Sequence, residues 1–196
     1  MGTTRIAAIG VSAGGLRALK EFFSSLPQIP DLAFVVVTHL PRDTPSSLQP
    51  TLSAVTSLPV YVLQGQTVPR AGNIYVLPAY MSADLHEGVI SVYERHPSEP
   101  VFKAIDEFLF SLATDQRKNA IAIILSGMGN DGARGVQAIQ KCGGMVLAQD
   151  PESSKYSSMP RAAIDADQPE EIAAPHLLGQ TLSLMLQGTS NYSQES

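Results

Sequence analysis

Apolar residues gather in short, nearly continuous runs at 6–9, 34–37, 60–63, 74–77, 121–125 and 145–148. Several of these runs lack the alternation of a half-exposed strand, which predicts strands buried on both faces of a mostly parallel sheet. Between them, apolar positions recur at helical spacing over 16–26, 46–54, 101–114 and 133–141. The order of strand and helix predicts an α/β fold, a doubly wound, mostly parallel sheet flanked by helices, Rossmann-like in outline. Two runs, 74–77 and 89–92, are separated by the turn-forming stretch 84–88 and predict a small antiparallel hairpin excursion. Residues 1–187 are expected to form a single domain, and 188–196 a polar tail without apolar period, expected to be disordered.

Composition narrows the class of protein. A chain of 196 residues has room for one substantial buried core and not for two ordinary domains. A net charge of -5, with no basic stripe, argues against a nucleic-acid surface, which rests on clustered Lys and Arg. No uncharged apolar stretch reaches bilayer length, so no membrane insertion is expected. The first residues lack the long apolar centre of a signal peptide, and the expected location is the cytoplasm. Cys142, the single cysteine, makes neither an internal disulfide nor a cysteine metal site and is expected as a small core residue. No histidine pair has metal-ligand spacing, and neither a metal ion nor a cofactor is expected. His86, His96 and His176 read as solvated, and Asp106 and Glu107 as surface or local structural charges.

In an open α/β sheet, chemistry gathers at the carboxyl ends of the strands. The first strand ends in Gly10-Val11-Ser12-Ala13-Gly14-Gly15, a glycine-flanked serine directly before a helical pattern. Such a turn lifts a hydroxyl clear of the backbone, and the amides opening the next helix face the same space as oxyanion donors. The same turn also fits a phosphate or dinucleotide cradle, or a purely structural glycine turn. Against a dinucleotide, the second strand ends in Thr38-His39, without the acid that binds ribose hydroxyls. Past the strand ending at Leu125 stands Ser126-Gly127-Met128-Gly129-Asn130-Asp131-Gly132. Ser12, His39 and Asp131 are the parts of a hydrolase triad: nucleophile, proton acceptor and orienting acid. Plainer readings stay open for each. His39 could close a strand, Asp131 could cap the helix that follows it, and Met128 could fill a gap.

Taken together, Gly10 to Gly15, Thr38-His39-Leu40-Pro41 and Leu125 to Gly132 resemble the signature segments of CheB-type chemotaxis receptor methylesterases. Ala148-Gln149-Asp150-Pro151-Glu152 and Met159-Pro160 resemble them as well, and order and spacing match from 6 to 172. The resemblance implies hydrolysis of γ-glutamyl methyl esters on the cytoplasmic helices of a methylated chemoreceptor or similar helical signalling protein, releasing methanol. Some family members also deamidate glutamine. By position, Ser12 is similar to the family nucleophile, His39 to its base and Asp131 to its orienting acid, with Ala13, Gly14 and Met128 beside the oxyanion and substrate. Ala13 replaces a common family threonine, Ser158-Met159-Pro160 a usual Gly-Met-Pro, and Pro78-Ala79-Tyr80-Met81 lacks the usual glycine or histidine pattern. With its first strand expected from about Arg5, the chain resembles a receiver-less catalytic domain, either an enzyme of that kind or an excised catalytic piece. Segments 110–116 and 149–155 are similar to the modules of esterase/methyltransferase fusions, which implies a methyltransferase or response-regulator partner. Two other classes remain: a non-catalytic signalling scaffold of the same fold, and a phosphate- or nucleotide-binding module at Gly14-Gly15.

Overall fold

The computed structural model describes residues 4–27, 29, 31–38, 48–79, 81–94 and 103–192, the last five as backbone only. Strands β1 (Arg5–Val11), β2 (Leu32–Thr38), β3 (Val60–Val62), β5 (Ile74–Val76), β8 (Ile121–Ile124), β9 (Met145–Gln149) and β10 (Glu171–Ala173) form one sheet. Their order is β10-β9-β8-β1-β2-β5-β3, and every neighbouring pair is parallel. The helices are α1 (Gly15–Ser25), α2 (Leu48–Ser53), α3 (Ala104–Gln116), α4 (Ala133–Lys141), α5 (Ser158–Ala166) and α6 (Pro175–Tyr192). The expected doubly wound α/β sheet is therefore the fold.

The unbroken apolar runs have their cause in two cores, one on each face of the sheet. Along β1, Ile6 and Ala8 enter the core covered by α3, α4 and α5, while Ala7, Ile9 and Val11 enter the one covered by α1, α2 and α6. A half-buried strand could have left every second position polar; here neither face reaches water. In the α1 core, Phe22, Phe23 and Phe34 meet edge to face with ring centroids 5.2 to 6.1 Å apart. Each such pair adds about 0.5–1.5 kcal/mol beyond its area.

The antiparallel excursion exists, with different members from those expected. β6 (Met81–His86) pairs with β7 (Val89–Glu94), and β4 (Gln66–Thr67) pairs with the other edge of β7. The run 74–77 instead supplies β5 of the parallel sheet, because Ile74, Tyr75 and Val76 are all buried. Most of the stretch read as a separator, 84–88, is strand; only Glu87 and Gly88 form the turn, both with positive φ, 49° and 75°. Positive φ at both central residues is what a two-residue hairpin requires.

β10, α5 and α6 were not evident in the sequence pattern: β10 is three half-exposed residues, and α5 carries Pro160 within its first turn. α6 opens on Pro175, which suits a first helical position. It runs on to Tyr192, through the first residues of the expected tail; 193–196 lie outside the described residues. Cys142 is exposed rather than a core residue, because it sits at the C-cap of α4, beyond the last turn that touches the sheet.

Candidate active site

The chain leaves β1 toward β2 on one side and meets β8 on the other, so the strand order reverses at β1. The carboxyl ends of β1 and β8 border the crevice where open α/β sheets bind ligands. Ser12 follows β1 directly, half-buried; its N–H donates to Ser126 O at 3.1 Å and its carbonyl accepts from Gly15 N–H at 3.0 Å. The serine is thus pinned through its backbone to the loop after β8. Gly14 caps α1 at φ 73°, a left-handed conformation that costs a side-chain-bearing residue about 1–2 kcal/mol.

The loop after β8 is held close against the serine. A Cβ on Gly127 would stand 2.9 Å from Ser12 Cβ and 2.6 Å from Met159 Sδ. Gly127→Ala is therefore expected to lower stability by about 1–3 kcal/mol through overpacking, read as a lower urea midpoint. An unchanged midpoint would mean the loop can move away from Ser12 at no cost.

Groups outside the expected site residues fasten this loop. Ser158 Oγ donates to Gly127 O at 3.3 Å and accepts from Gly129 N–H at 3.1 Å, tying both flanks of Met128 to α5. Gly127 N–H donates to Tyr156 O, and Met159 N–H to Gly127 O. Ser126 N–H donates to the buried Gln149 Oε1 at 2.8 Å, and Ser126 Oγ lies 3.2 Å from Ala13 O. Met128 itself projects outward, 60% exposed. A sequence signal did exist for Gln149: a polar residue at the carboxyl end of an otherwise apolar buried strand.

Asp131 is buried and sits between two helix starts. As a cap it serves the other helix from the one expected: α4 begins on Gly132 with no side-chain cap, while the Asp131 carboxylate accepts from Ile105 N–H at 3.2 Å and Asp106 N–H at 3.0 Å. Those are amides of the first turn of α3, whose dipole favours the negative charge. Asp106, expected as a surface or local charge, is only 2% exposed. Its Oδ1 accepts from Gly135 N–H of α4 at 2.8 Å, and Lys103 Nζ stands 3.9 Å from its Oδ2. Glu107 accepts from Ser82 Oγ at 2.8 Å and joins α3 to the hairpin.

Burial raises the Asp106 pKa above the usual carboxylate value, opposed by the Gly135 N–H; the Asp131 charge adds to the rise, and Lys103 and the Gly132 N–H oppose it. A carboxyl with a raised folded pKa holds its proton more tightly when folded. Its contribution to stability is present below the ordinary carboxylate range and lost as pH rises through the folded pKa. The stability of the native chain relative to Asp106→Asn is therefore expected to fall over the interval that begins at the ordinary carboxylate value, about pH 4, and runs up through the folded pKa, followed by urea midpoints. A relative stability that rises over that interval contradicts the sign.

His39 lies outside the described residues; Thr38, which precedes it, is in register with Val11, which precedes Ser12. The structure thus brings Ser12, Ala13 and Gly14 together with the loop that bears Met128, and fixes Asp131 on α3. His86 and His176 are exposed, as expected, and His96 is outside the described residues. A cleft of about 210 Å³ adjoins Gly14 and Ser126 and is lined further by Arg17, Glu21, Gln149 and Lys155. Among the described residues, no group of three or more His, Cys, Asp or Glu could hold a metal ion, and no helix is long and apolar enough to cross a membrane.

Known proteins match this arrangement along nearly the whole chain. The protein-glutamate methylesterase/protein-glutamine glutaminase 3 of Burkholderia orbicola is 34% identical over 163 residues, 83% of this chain and 48% of that protein. The protein-glutamate methylesterase/protein-glutamine glutaminase 1 of Carboxydothermus hydrogenoformans is 34% identical over 167 residues, 82% of this chain and 49% of that protein. The chain spans about half the length of these curated relatives. The crystal structure of the Thermotoga maritima CheB methylesterase catalytic domain superposes with a TM-score of 0.81 at 26% identity, over 94% of this chain and 100% of that one. The family model described as CheB methylesterase covers residues 7–182, from within β1 to within α6, and the chain belongs to that family.

Proposed function

We propose that this chain is a serine esterase that hydrolyses γ-glutamyl methyl esters on the helical cytoplasmic part of a methylated chemoreceptor, working in the cytoplasm. The observation that carries the reading is Ser12 at the strand-order reversal, its backbone pinned to the β8 loop, in a chain one third identical to protein-glutamate methylesterases. Ser12 Oγ attacks the ester carbonyl while His39 takes its proton. Asp131 orients the imidazole and stabilises its charged form. The oxyanion faces backbone N–H groups, those opening α1 and that of Met128, because Ala13 offers no hydroxyl. Methanol leaves with the proton from His39, and water, activated by the same histidine, then clears the acyl-enzyme to restore glutamate. The same acyl-enzyme route accommodates a glutamine side chain, with ammonia as the leaving group.

An ester on a helix surface needs a docking face beyond the triad. Leu16, Met128 and Tyr156 are exposed apolar side chains on the segments around Ser12 and suit that role. The test is methanol release from a methylated receptor cytoplasmic fragment, with labelling of Ser12 by a fluorophosphonate alongside. Release and labelling together support the reading. Labelling without release on receptors of matched origin would overturn the substrate class, and neither would favour a scaffold of this fold.

A further inference from the structure

Asp106 is a buried carboxyl that the proposed reaction does not use. It closes a ring of hydrogen bonds around Asp131. The Asp106 N–H donates to Asp131 Oδ1 at 3.0 Å, and the Asp106 carboxyl in turn accepts from Gly135 N–H at 2.8 Å, in the helix that Asp131 introduces. The first turn of α3 therefore receives the Asp131 carboxylate, and the first turn of α4 holds the Asp106 carboxyl. Lys103 Nζ adds a link at the rim, donating to Asn130 Oδ1 at 2.6 Å.

Glycine positions at the start of α4 lie close enough against α3 side chains to make this ring matter. A Cβ on Gly135 would stand 2.6 Å from Leu109 Cβ, and one on Gly132 would stand 3.0 Å from Ile105 Cγ2. These side chains pack α3 on α4 but carry no direction for a carboxylate. Direction comes from hydrogen bonds, which weaken steeply as their angles close.

We propose that Asp106 is a positioning residue: its side chain anchors the start of α4 to α3, and so fixes the angle at which the Asp131 carboxylate is presented. The proposal rests on Asp131 being the orienting acid of the esterase. What matters is an acceptor oxygen at the place of Asp106 Oδ1, not the charge. Asn at 106 keeps that oxygen; Ala removes it and leaves the Gly135 N–H buried without a partner.

The experiment measures kcat and KM for methanol release from the methylated receptor fragment, with each preparation normalised to sites titrated by a fluorophosphonate at Ser12. Normalisation removes unfolded protein, so a purely structural role would leave kcat per titrated site unchanged. Asp106→Ala is expected to lower kcat per site by about 10- to 100-fold at unchanged KM, since misplacing a catalytic group by an ångström costs on that order. Asp106→Asn is expected to keep kcat per site within about threefold of the native value, its acceptor oxygen being retained. Should Asp106→Ala not fold, Asp106→Ser takes its place, its hydroxyl one bond short of the carboxyl oxygen.

Native kcat per site in the Ala or Ser variant overturns the proposal. So does an Asn variant as slow as the Ala variant, which would make charge the operative property. A native chain that is not labelled at Ser12 would fail the esterase reading itself, whatever stands at 106, and the proposal would fall with it.

Discussion

Ser12→Ala is expected to lower kcat for methanol release by about 10⁶-fold, the loss seen when a triad nucleophile is removed. The loss is chemical rather than structural. Both hydrogen bonds that hold residue 12 are made by its backbone, to Ser126 O and from Gly15 N–H, and alanine keeps them. A half-buried methyl fits where the serine Cβ already stands, 2.9 Å from the position a Gly127 Cβ would take. The variant should therefore melt within a few degrees of the native chain, while fluorophosphonate labelling disappears. Turnover that survives the substitution would remove Ser12 from the mechanism and leave the scaffold reading in its place.

Replacing Asp131 by Asn should act on both rate and stability. The native carboxylate receives an N–H on each oxygen, from Ile105 and Asp106. An amide offers one acceptor and one donor, so one of those N–H groups would face an NH₂ instead. A buried donor left without an acceptor costs about 1–3 kcal/mol, which should show as a lower urea midpoint. In the reaction, a triad Asp→Asn exchange drops kcat by about 10⁴-fold, because the imidazole is held in the wrong tautomer. Asp106→Asn, by contrast, keeps an oxygen to accept from Gly135 N–H. The two isosteric substitutions, on neighbouring carboxyls, should therefore differ by orders of magnitude in rate.

The turn at 10–15 was legible because every part of it is local. Its glycines, its serine and the helix that follows are consecutive, and steric rules for a strand-to-helix turn act within six residues. Asp131 was legible as a helix cap for the same reason, yet the helix it caps was not. The choice between α3 and α4 depends on how segments 25 residues apart cross, and periodicity says nothing of that. Asp106 read as a surface or local structural charge because its neighbours follow a helical pattern; its bond from Gly135 of α4 forms between segments 29 residues apart. Ser158 and Tyr156 fasten the Met128 loop from about 30 residues away, where no spacing rule reaches.

The sequence by itself determined the parallel sheet, through apolar runs that in β1, β2, β5 and β8 leave neither face for water, and the placing of Ser12 and Met128 at the carboxyl ends of β1 and β8. It also carried enough matched segments to indicate the CheB methylesterase family. Tertiary structure decided which runs pair: 74–77 is buried on both faces and joins the sheet, while the hairpin is built from partly exposed residues beside it. It also decided which amides Asp131 and Asp106 meet. Hydrophobic pattern fixes which side of an element faces inward, whereas hydrogen bonds between elements depend on the distance and angle at which those elements cross, and these exist only once the core has closed.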